Sequence, residues 1–202
     1  MRERPTFEEV FTKLAREPDL PLKFLVGGLL CFVPVINIFA FGFLYRFADR
    51  LRRHGDMRLP EWTDWGGLFL DGLRFTVVWL LFWVLPLLLG ALVHGFFKSV
   101  GIGALAYIAF SAVFLVAPVF FCAALRRLQA RADMRDLKDV GLILRMAAGQ
   151  VGELLIPCLV FFGIFALALP LYGFAVFAAF LIMVAYTSLC YRRVEGRSSI
   201  AL

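Results

Sequence analysis

The sequence predicts an all-α fold, a polytopic helical membrane protein, and two observations support this prediction. No charged residue lies between Glu153 and Arg192, and two other long apolar blocks precede this one. In addition, 62% of the residues are hydrophobic and 18% are charged, whereas soluble domains are about 45–50% apolar and roughly 25% charged. A helix needs about 20 apolar residues to cross a bilayer core of roughly 30 Å, so these blocks are long enough to form membrane spans.

The positive charge of the chain is explained by membrane orientation. The net charge is +6, and the Lys and Arg residues cluster at the ends of the apolar blocks. Because such clusters mark cytoplasmic loops, we expect the basic stretches 46–74 and 126–145 and the C-terminus to be cytoplasmic. The expected partner is therefore the lipid bilayer, and nucleic acid is not expected to bind.

The N-terminal arm, residues 1–21, is predicted to contain a short amphipathic helix that ends near Pro18. Thr6 followed by Glu9 fits a capping box, in which each side chain satisfies a backbone N–H of the first helical turn. Apolar residues then recur at helical spacing. The rest of the chain, residues 22–202, is predicted to form a single membrane domain.

The membrane domain is predicted to consist of helical hairpins with four or five spanning helices. A turn between Gly95 and Gly103 separates one pair of helices, and the Pro170 to Gly173 interruption divides the last apolar block into a second pair. The predicted apolar segments are 22–45, 75–97, 102–125, 154–169 and 173–191.

The first block, 22–45, permits two interpretations. It is long enough to span, but Pro34 and Asn37 lie near its centre, and both of its flanks are basic. One interpretation is a kinked spanning helix with the N-terminus outside. The other is a re-entrant hairpin that turns at Pro34 to Asn37 and returns to the side from which it entered, shielded by other helices.

Two segments are predicted to be interfacial amphipathic helices. In the first, Trp62, Trp65 and Phe69 place aromatic rings at headgroup depth, and the second covers residues 136–149. Asp64 and Asp71 are seven residues apart and therefore share one helix face, where they are candidates for binding a cation or a partner's arginine. Capping and pairing with Arg74 are the alternatives.

The two interfacial segments also resemble each other, which suggests a weak internal repetition. Each follows a basic stretch and enters the next apolar hairpin, with Asp64-Trp65-Gly66 in one and Asp139-Val140-Gly141 in the other. The apolar blocks themselves end alike, at Leu44-Tyr45-Arg46, Leu125-Arg126-Arg127 and Cys190-Tyr191-Arg192.

The first third of the chain resembles a known family. The residues that carry the resemblance are Gly27-Gly28-Leu29-Leu30, Phe32-Val33-Pro34-Val35-Ile36, Leu44-Tyr45-Arg46, Leu59-Pro60-Glu61-Trp62 and Asp64-Trp65-Gly66-Gly67-Leu68-Phe69. This pattern is similar to the prokaryotic integral membrane family catalogued as domain of unknown function 4013. The resemblance implies a membrane fold in a prokaryotic cytoplasmic (inner) membrane, and it implies no catalytic residues.

Chemical motifs are scarce. The sequence contains no metalloprotease, nucleophile-elbow, P-loop or dinucleotide-binding fingerprint, so no catalytic residue, metal site or cofactor is predicted. The two histidines are His54 and His94. His94 lies near the outer end of its helix and is a weak candidate for binding a cofactor, although a polar residue at a helix end explains it more simply.

Three functions remain open at this point. The favoured one is a non-enzymatic membrane subunit or scaffold that associates with other membrane proteins or with itself, or that shapes the bilayer. The alternative is a small permease or channel with a cavity near Asn37, Pro34 and Glu153, since ionisable groups within membranes are functional candidates. The third is a lipid-modifying enzyme that uses His54 with the two aspartates of the first interfacial segment.

Overall fold

The computed structural model describes residues 7–131, 133–167 and 171–198, and within these ranges it is helical without a strand. The helices are α1 (Phe7–Ala15), α2 (Leu20–Cys31), α3 (Asn37–His54), α4 (Trp65–Trp79), a π-helical segment (Leu80–Val84), α5 (Leu85–Ser99), α6 (Gly103–Arg131), a 3-10 helix (Met134–Lys138), α7 (Val140–Leu167) and α8 (Tyr172–Ser198).

Among the described residues, four helices are long and apolar enough to cross a membrane. They are Trp65–Ser99, Gly103–Arg131, Val140–Ile164 and Tyr172–Arg192. Helix α2 is apolar but has only 12 residues, which corresponds to roughly 18 Å and is shorter than a bilayer core. The predicted all-α polytopic membrane fold is confirmed.

Two of the long helices begin earlier than the hydrophobic pattern indicates. The segments predicted to start at 75 and 154 begin at Trp65 and Val140, so both predicted interfacial segments run directly into spanning helices. An aspartate precedes each start. The Asp64 carboxylate accepts a hydrogen bond from the Gly67 N–H at 3.1 Å, and Asp139 accepts one from the Leu142 N–H at 3.1 Å. Each bond satisfies an N–H of the first turn, so the two aspartates stabilise the helix starts.

The chain divides into two compact units. Unit 1 comprises Met1–Thr76 and Leu159–Leu202, and unit 2 comprises Val77–Cys158.

In unit 1, helices α2 and α3 form a hairpin against α8. A side chain at Gly27 would collide with the Phe177 ring, and one at Gly28 would collide with the Phe174 ring, so α2 approaches α8 closely. The α2–α3 turn at 32–36 lies beside the start of α8, where the Phe32 and Phe174 rings meet at 5.7 Å. The Arg192 guanidinium, near the end of α8, covers Gly55. The end of α3 therefore lies beside the end of α8.

The turn of this hairpin is apolar and exposed. Phe32, Val33, Val35 and Ile36 are all exposed, and Val35 has a φ of 74°. A β-branched residue rarely adopts this left-handed conformation, which costs about 1–2 kcal/mol. The predicted break in the first apolar block is therefore present at Pro34, as a turn between two helices.

Helices α3 and α4 touch through their backbones. A Cβ atom at Gly42 would collide with the Leu68 carbonyl oxygen, and one at Gly72 would collide with the Ile38 carbonyl oxygen. Glycine permits this approach because it has no side chain, as in other close helix pairs of membrane proteins.

In unit 2, helices α5 and α6 form the predicted hairpin. The ring of His94 lies 4.6 Å from that of Tyr107, and the ring of Trp83 lies 5.5 Å from that of Phe121, so the two helices run antiparallel. Gly101, with a φ of 86°, occupies the turn between them. The π-helical segment ends two residues before Pro86, whose ring and missing N–H disrupt a regular α-helical turn.

Some predicted features lie outside the described residues. Thr6 of the predicted capping box and Pro170 of the predicted interruption are among them. Helix α7 ends before this interruption, and α8 begins after it. Within α1, Val10 and Leu14 are buried.

Candidate functional site

The densest set of charged side chains in unit 1 is centred on Arg46 and is called the Arg46 cluster. Arg46 Nε donates to Asp71 at 2.8 Å, and its terminal nitrogen donates to Asp64 at 2.8 Å. Arg74 donates to the other oxygen of Asp71 at 2.9 Å. The Asp71 side chain is only 17% exposed, so its charge is largely removed from water and is balanced by two guanidinium groups.

The local sequence explains how the Arg46 cluster forms. Asp64 and Asp71 are separated by two helical turns and face α3 together, as their spacing predicts. Gly67 lies between them on α4, where a Cβ atom would collide with both the Arg46 guanidinium and the Asp64 carboxylate. The glycine thus leaves space for the guanidinium to reach both carboxylates.

Asp64 acts as both a helix cap and an ion-pair partner. Its hydrogen bond from Arg46, and then the backbone bond from Gly67, hold the pKa of this carboxyl below its ordinary value. Its φ is 49°, a left-handed conformation that aspartate and asparagine tolerate better than most residues. This combination accounts for an aspartate at this position.

Aromatic rings pack beside the Arg46 cluster. Trp62 stacks on Phe43 with ring centroids 4.3 Å apart, and Phe39 contacts Trp65 at 5.5 Å and Phe69 at 5.7 Å. Trp65 remains exposed, whereas the Trp62 Nε1 atom is shielded and has no acceptor among the described residues. Thus Trp62 packs inward against α3, and Trp65 and Phe69 present more surface to the outside.

A second charged group connects both ends of the α2–α3 hairpin. Lys23, only 5% exposed, donates to Glu61 at 2.7 Å and to the Leu59 carbonyl oxygen at 3.3 Å. Arg50, near the end of α3, donates to the same Leu59 carbonyl oxygen at 3.4 Å. The two ends of the hairpin therefore meet at one backbone oxygen.

The other predicted site residues are dispersed. Asn37 is the half-buried first residue of α3 in unit 1, and the half-buried Glu153 belongs to α7 in unit 2. Within neither unit does the structure assemble the proposed cavity of Asn37, Pro34 and Glu153. His54, the exposed last residue of α3, is eight positions beyond Arg46, which corresponds to about 12 Å of helix.

His94 lies between aromatic rings of α6. Its ring contacts Tyr107 at 4.6 Å and Phe110 at 5.8 Å, and its Nε2 atom is shielded without a partner among the described residues. Across residues 7–131, 133–167 and 171–198, no group of three His, Cys, Asp or Glu side chains has an arrangement suited to a metal ion.

Sequence reasoning missed three residues of these charged groups. It identified Asp64 and Asp71 but not Arg46 as their shared partner, and it gave no role to Lys23 or Glu61. These pairings join residues 18 to 38 positions apart, between α3 and the start of α4 or between α2 and the loop before α4. The buried position of Lys23 within an apolar segment was the available signal, because an isolated buried ammonium needs a partner.

Comparison with known proteins identifies a family. The family profile described as "Protein of unknown function (DUF4013)" matches residues 26–189, which confirms the resemblance found in the first third of the chain. The chain has no significant match among curated proteins and none among solved structures.

Proposed function

We propose that this chain, which belongs to the DUF4013 family, is a non-enzymatic integral membrane subunit or scaffold. It associates with other membrane proteins, or with itself, and inserts a short hairpin into one side of the bilayer. We place it in a prokaryotic cytoplasmic membrane, with its main loops and C-terminus in the cytoplasm.

The ion pairing within the Arg46 cluster is the observation that carries this proposal. General acid–base chemistry needs a titratable group that can reach a substrate. In this cluster the carboxylates of Asp64 and Asp71 are bonded to Arg46, and Asp71 is also bonded to Arg74. The most chemically promising residues of the sequence therefore fasten α3 to α4, which is a structural task.

The surface of α5 supports an association role. This helix contains no buried residue, and its exposed apolar side chains include Leu88, Leu92 and Phe96. Lipid tails can cover such a surface, but an adjacent transmembrane helix can also pack against it through van der Waals contacts. The scaffold function requires that a protein covers it in the cell.

The α2–α3 hairpin supports a shallow insertion. Lys23 and Arg50 bind the same Leu59 carbonyl oxygen, while the apolar turn around Val35 is exposed at the opposite end. From Lys23 to Phe32 the helix rises roughly 14 Å, about half of a bilayer core. A hairpin of this depth occupies one leaflet and so adds volume to that leaflet alone.

Site-specific photocrosslinking in the native membrane tests the association. A photoreactive phenylalanine replaces Leu92, which is 71% exposed, and the matched control replaces the buried Leu68. We expect a discrete protein adduct at position 92 and none at position 68. Adducts with lipid alone at positions 88, 92 and 96 would refute association through α5.

Mild-detergent purification provides the complementary measurement. Mass spectrometry identifies the crosslinked protein and determines whether it also copurifies without crosslinking. Self-association is recognised by an adduct of twice the mass of the chain. A monomeric protein with a polar central cavity that conducts a solute would instead favour the permease.

A further inference from the structure

Unit 2 contains an apolar groove along the π-helical segment and α5. Two cavities of about 540 Å³ and 380 Å³ form it, and both are lined by Pro86 and Phe120. The larger cavity lies between α5 and α6, and the smaller one extends to Leu137, Val140 and Leu144. Both volumes fall within the range of small-molecule sites.

The groove lies where Pro86 interrupts the regular helix. The π-helical segment ends two residues before this proline, and Leu81 and Phe82 of that segment line the smaller cavity. From Leu81 to Val93, at the far end of the larger cavity, the helix rises roughly 18 Å. This length is close to the thickness of one leaflet, about 15 Å.

Three cations are close in the sequence to residues that line the smaller cavity around the start of α7. Lys138 directly follows the lining residue Leu137, Arg145 directly follows the lining residue Leu144, and Arg135 lies two residues before Leu137. All three are exposed. None of their side chains pairs with an acid among the described residues, in contrast to Arg46, Arg52, Arg53 and Arg74 of unit 1.

The acids of this region have other partners. Asp136 faces Arg127 at 3.5 Å and Arg131 at 3.8 Å. Asp133 accepts from the Arg135 backbone N–H, and Asp139 caps α7 through Leu142. Residues 126–145 contain six cations and three acids, a net charge of +3, so an anion is favoured beside the groove.

We propose that this groove binds an acyl chain of an anionic phospholipid, whose phosphate is bound by Arg135, Lys138 and Arg145. The apolar lining matches the hydrocarbon, and the three cations match a phosphate without an ammonium group beside it. A zwitterionic lipid fits the same groove, but the cations stabilise its binding less. The class of ligand is therefore an anionic glycerophospholipid such as phosphatidylglycerol.

Native mass spectrometry of the delipidated full-length protein tests the proposal. Phosphatidylglycerol and phosphatidylcholine with identical acyl chains are added at equal concentrations. We expect phosphatidylglycerol to bind roughly tenfold more tightly, a preference that follows from the surface attraction of several Lys and Arg residues. The triple variant R135Q/K138Q/R145Q should lose the preference, with binding of phosphatidylcholine unchanged.

Two matched variants distinguish the groove from general charge. The control variant R16Q/R58Q/K98Q lacks three exposed cations that lie in other parts of the chain. It should retain the preference for phosphatidylglycerol over phosphatidylcholine. Leu144→Trp fills the groove and should weaken the binding of both lipids. Equal loss of preference in the two triple variants would overturn the proposal, because only net charge would then be involved.

Other occupants give different results. In one test, inorganic phosphate or an acidic peptide is added to displace phosphatidylglycerol from the wild type. If it does so, and if Leu144→Trp binds lipid as the wild type does, the acyl-chain assignment is overturned. Each variant is first compared with the wild type by circular dichroism and gel filtration in detergent. If R135Q/K138Q/R145Q is misfolded, the single variants K138Q and R145Q should each lower the preference in part, and an unchanged preference in both would refute the role of the cations.

Discussion

At the scale of single residues, Asp64 shows how one carboxylate serves two structural purposes. It caps α4 through Gly67 and binds Arg46, with a φ that asparagine also tolerates. We predict that Asp64→Asn retains the cap and loses the ion pair, whereas Asp64→Ala loses both. The unfolding temperature in detergent should therefore be highest for the wild type, lower for Asp64→Asn and lowest for Asp64→Ala. Equal stability of the two variants would contradict the capping role.

The same residue predicts a pH dependence. The pKa of Asp64 is lowered in the folded protein from its ordinary value of 3.8, first by the Arg46 hydrogen bond and then by the Gly67 N–H. The folded state thus binds this proton less tightly than the unfolded state. The stabilisation is complete above pH 3.8 and is lost as the pH falls through the lower folded value. As the pH falls below 3.8, unfolding midpoints should therefore decrease more steeply for the wild type than for Asp64→Asn.

Lys23 and Glu61 should respond unequally to substitution, because Lys23 is buried and the Glu61 side chain is 66% exposed. Lys23→Met removes a buried charge and leaves Glu61 free to hydrate. Glu61→Gln keeps a side-chain oxygen that can accept from Lys23 but removes its negative charge, so Asp19, 3.7 Å away, is the one anion left beside the buried ammonium among the described residues. We expect Glu61→Gln to lower the free energy of unfolding by about 1–3 kcal/mol more than Lys23→Met does. The reverse order, measured by denaturant titration in detergent, would show that Lys23 is not buried as described.

At the scale of helices, Gly72 and Gly95 form a matched pair within one continuous helix. Alanine at Gly72 would collide with the Ile38 carbonyl oxygen, and alanine at Gly95 would meet no atom within 4 Å. We predict that Gly72→Ala lowers the free energy of unfolding by about 1–3 kcal/mol through overpacking. Gly95→Ala should raise it by about 0.5–1 kcal/mol, because alanine favours the helix. The same sign for both variants would contradict the backbone contact between α3 and α4.

The starts and breaks of helices were predictable where residues close in the sequence determine them. Asp64 and Asp139 mark two helix starts, and the break at Pro34 and the turn near Gly101 are visible in the chain itself. The contacts of Gly42 and Gly72 were not predicted, because each depends on a carbonyl group of another helix. The π-helical segment also escaped prediction, since Pro86 disrupts a turn without specifying how the helix adapts.

At the scale of the whole molecule, the number of spans and the family were predictable because both follow from long stretches of sequence. Four described helices have the length and composition of spans, and the family profile covers residues 26–189. The partner of Arg46 and the groove beside Pro86 were not predictable, because they arise only when distant segments meet.

The proposed topology can be measured by labelling single cysteines. We predict that Ser99→Cys reacts with a membrane-impermeant maleimide in intact cells, and that Arg16→Cys and His54→Cys react only after permeabilisation. The native cysteines give a low background because all four are buried, namely Cys31, Cys122, Cys158 and Cys190. Labelling of Arg16→Cys in intact cells would show that the first block spans. Labelling of His54→Cys would show that the whole chain has the opposite orientation.

The hairpin between Lys23 and Arg46 has a consequence for the biogenesis of the protein. No residue between these two positions is charged, and both bind groups of the α3–α4 region at the same end of the hairpin. In the proposed one-sided insertion, this segment transfers no charge across the bilayer, so the insertion would need neither the membrane potential nor translocation of the N-terminal arm. Because the partners of Lys23 and Arg46 lie downstream in the chain, the region from Leu59 to Asp71 must be synthesised before the hairpin can dock onto it.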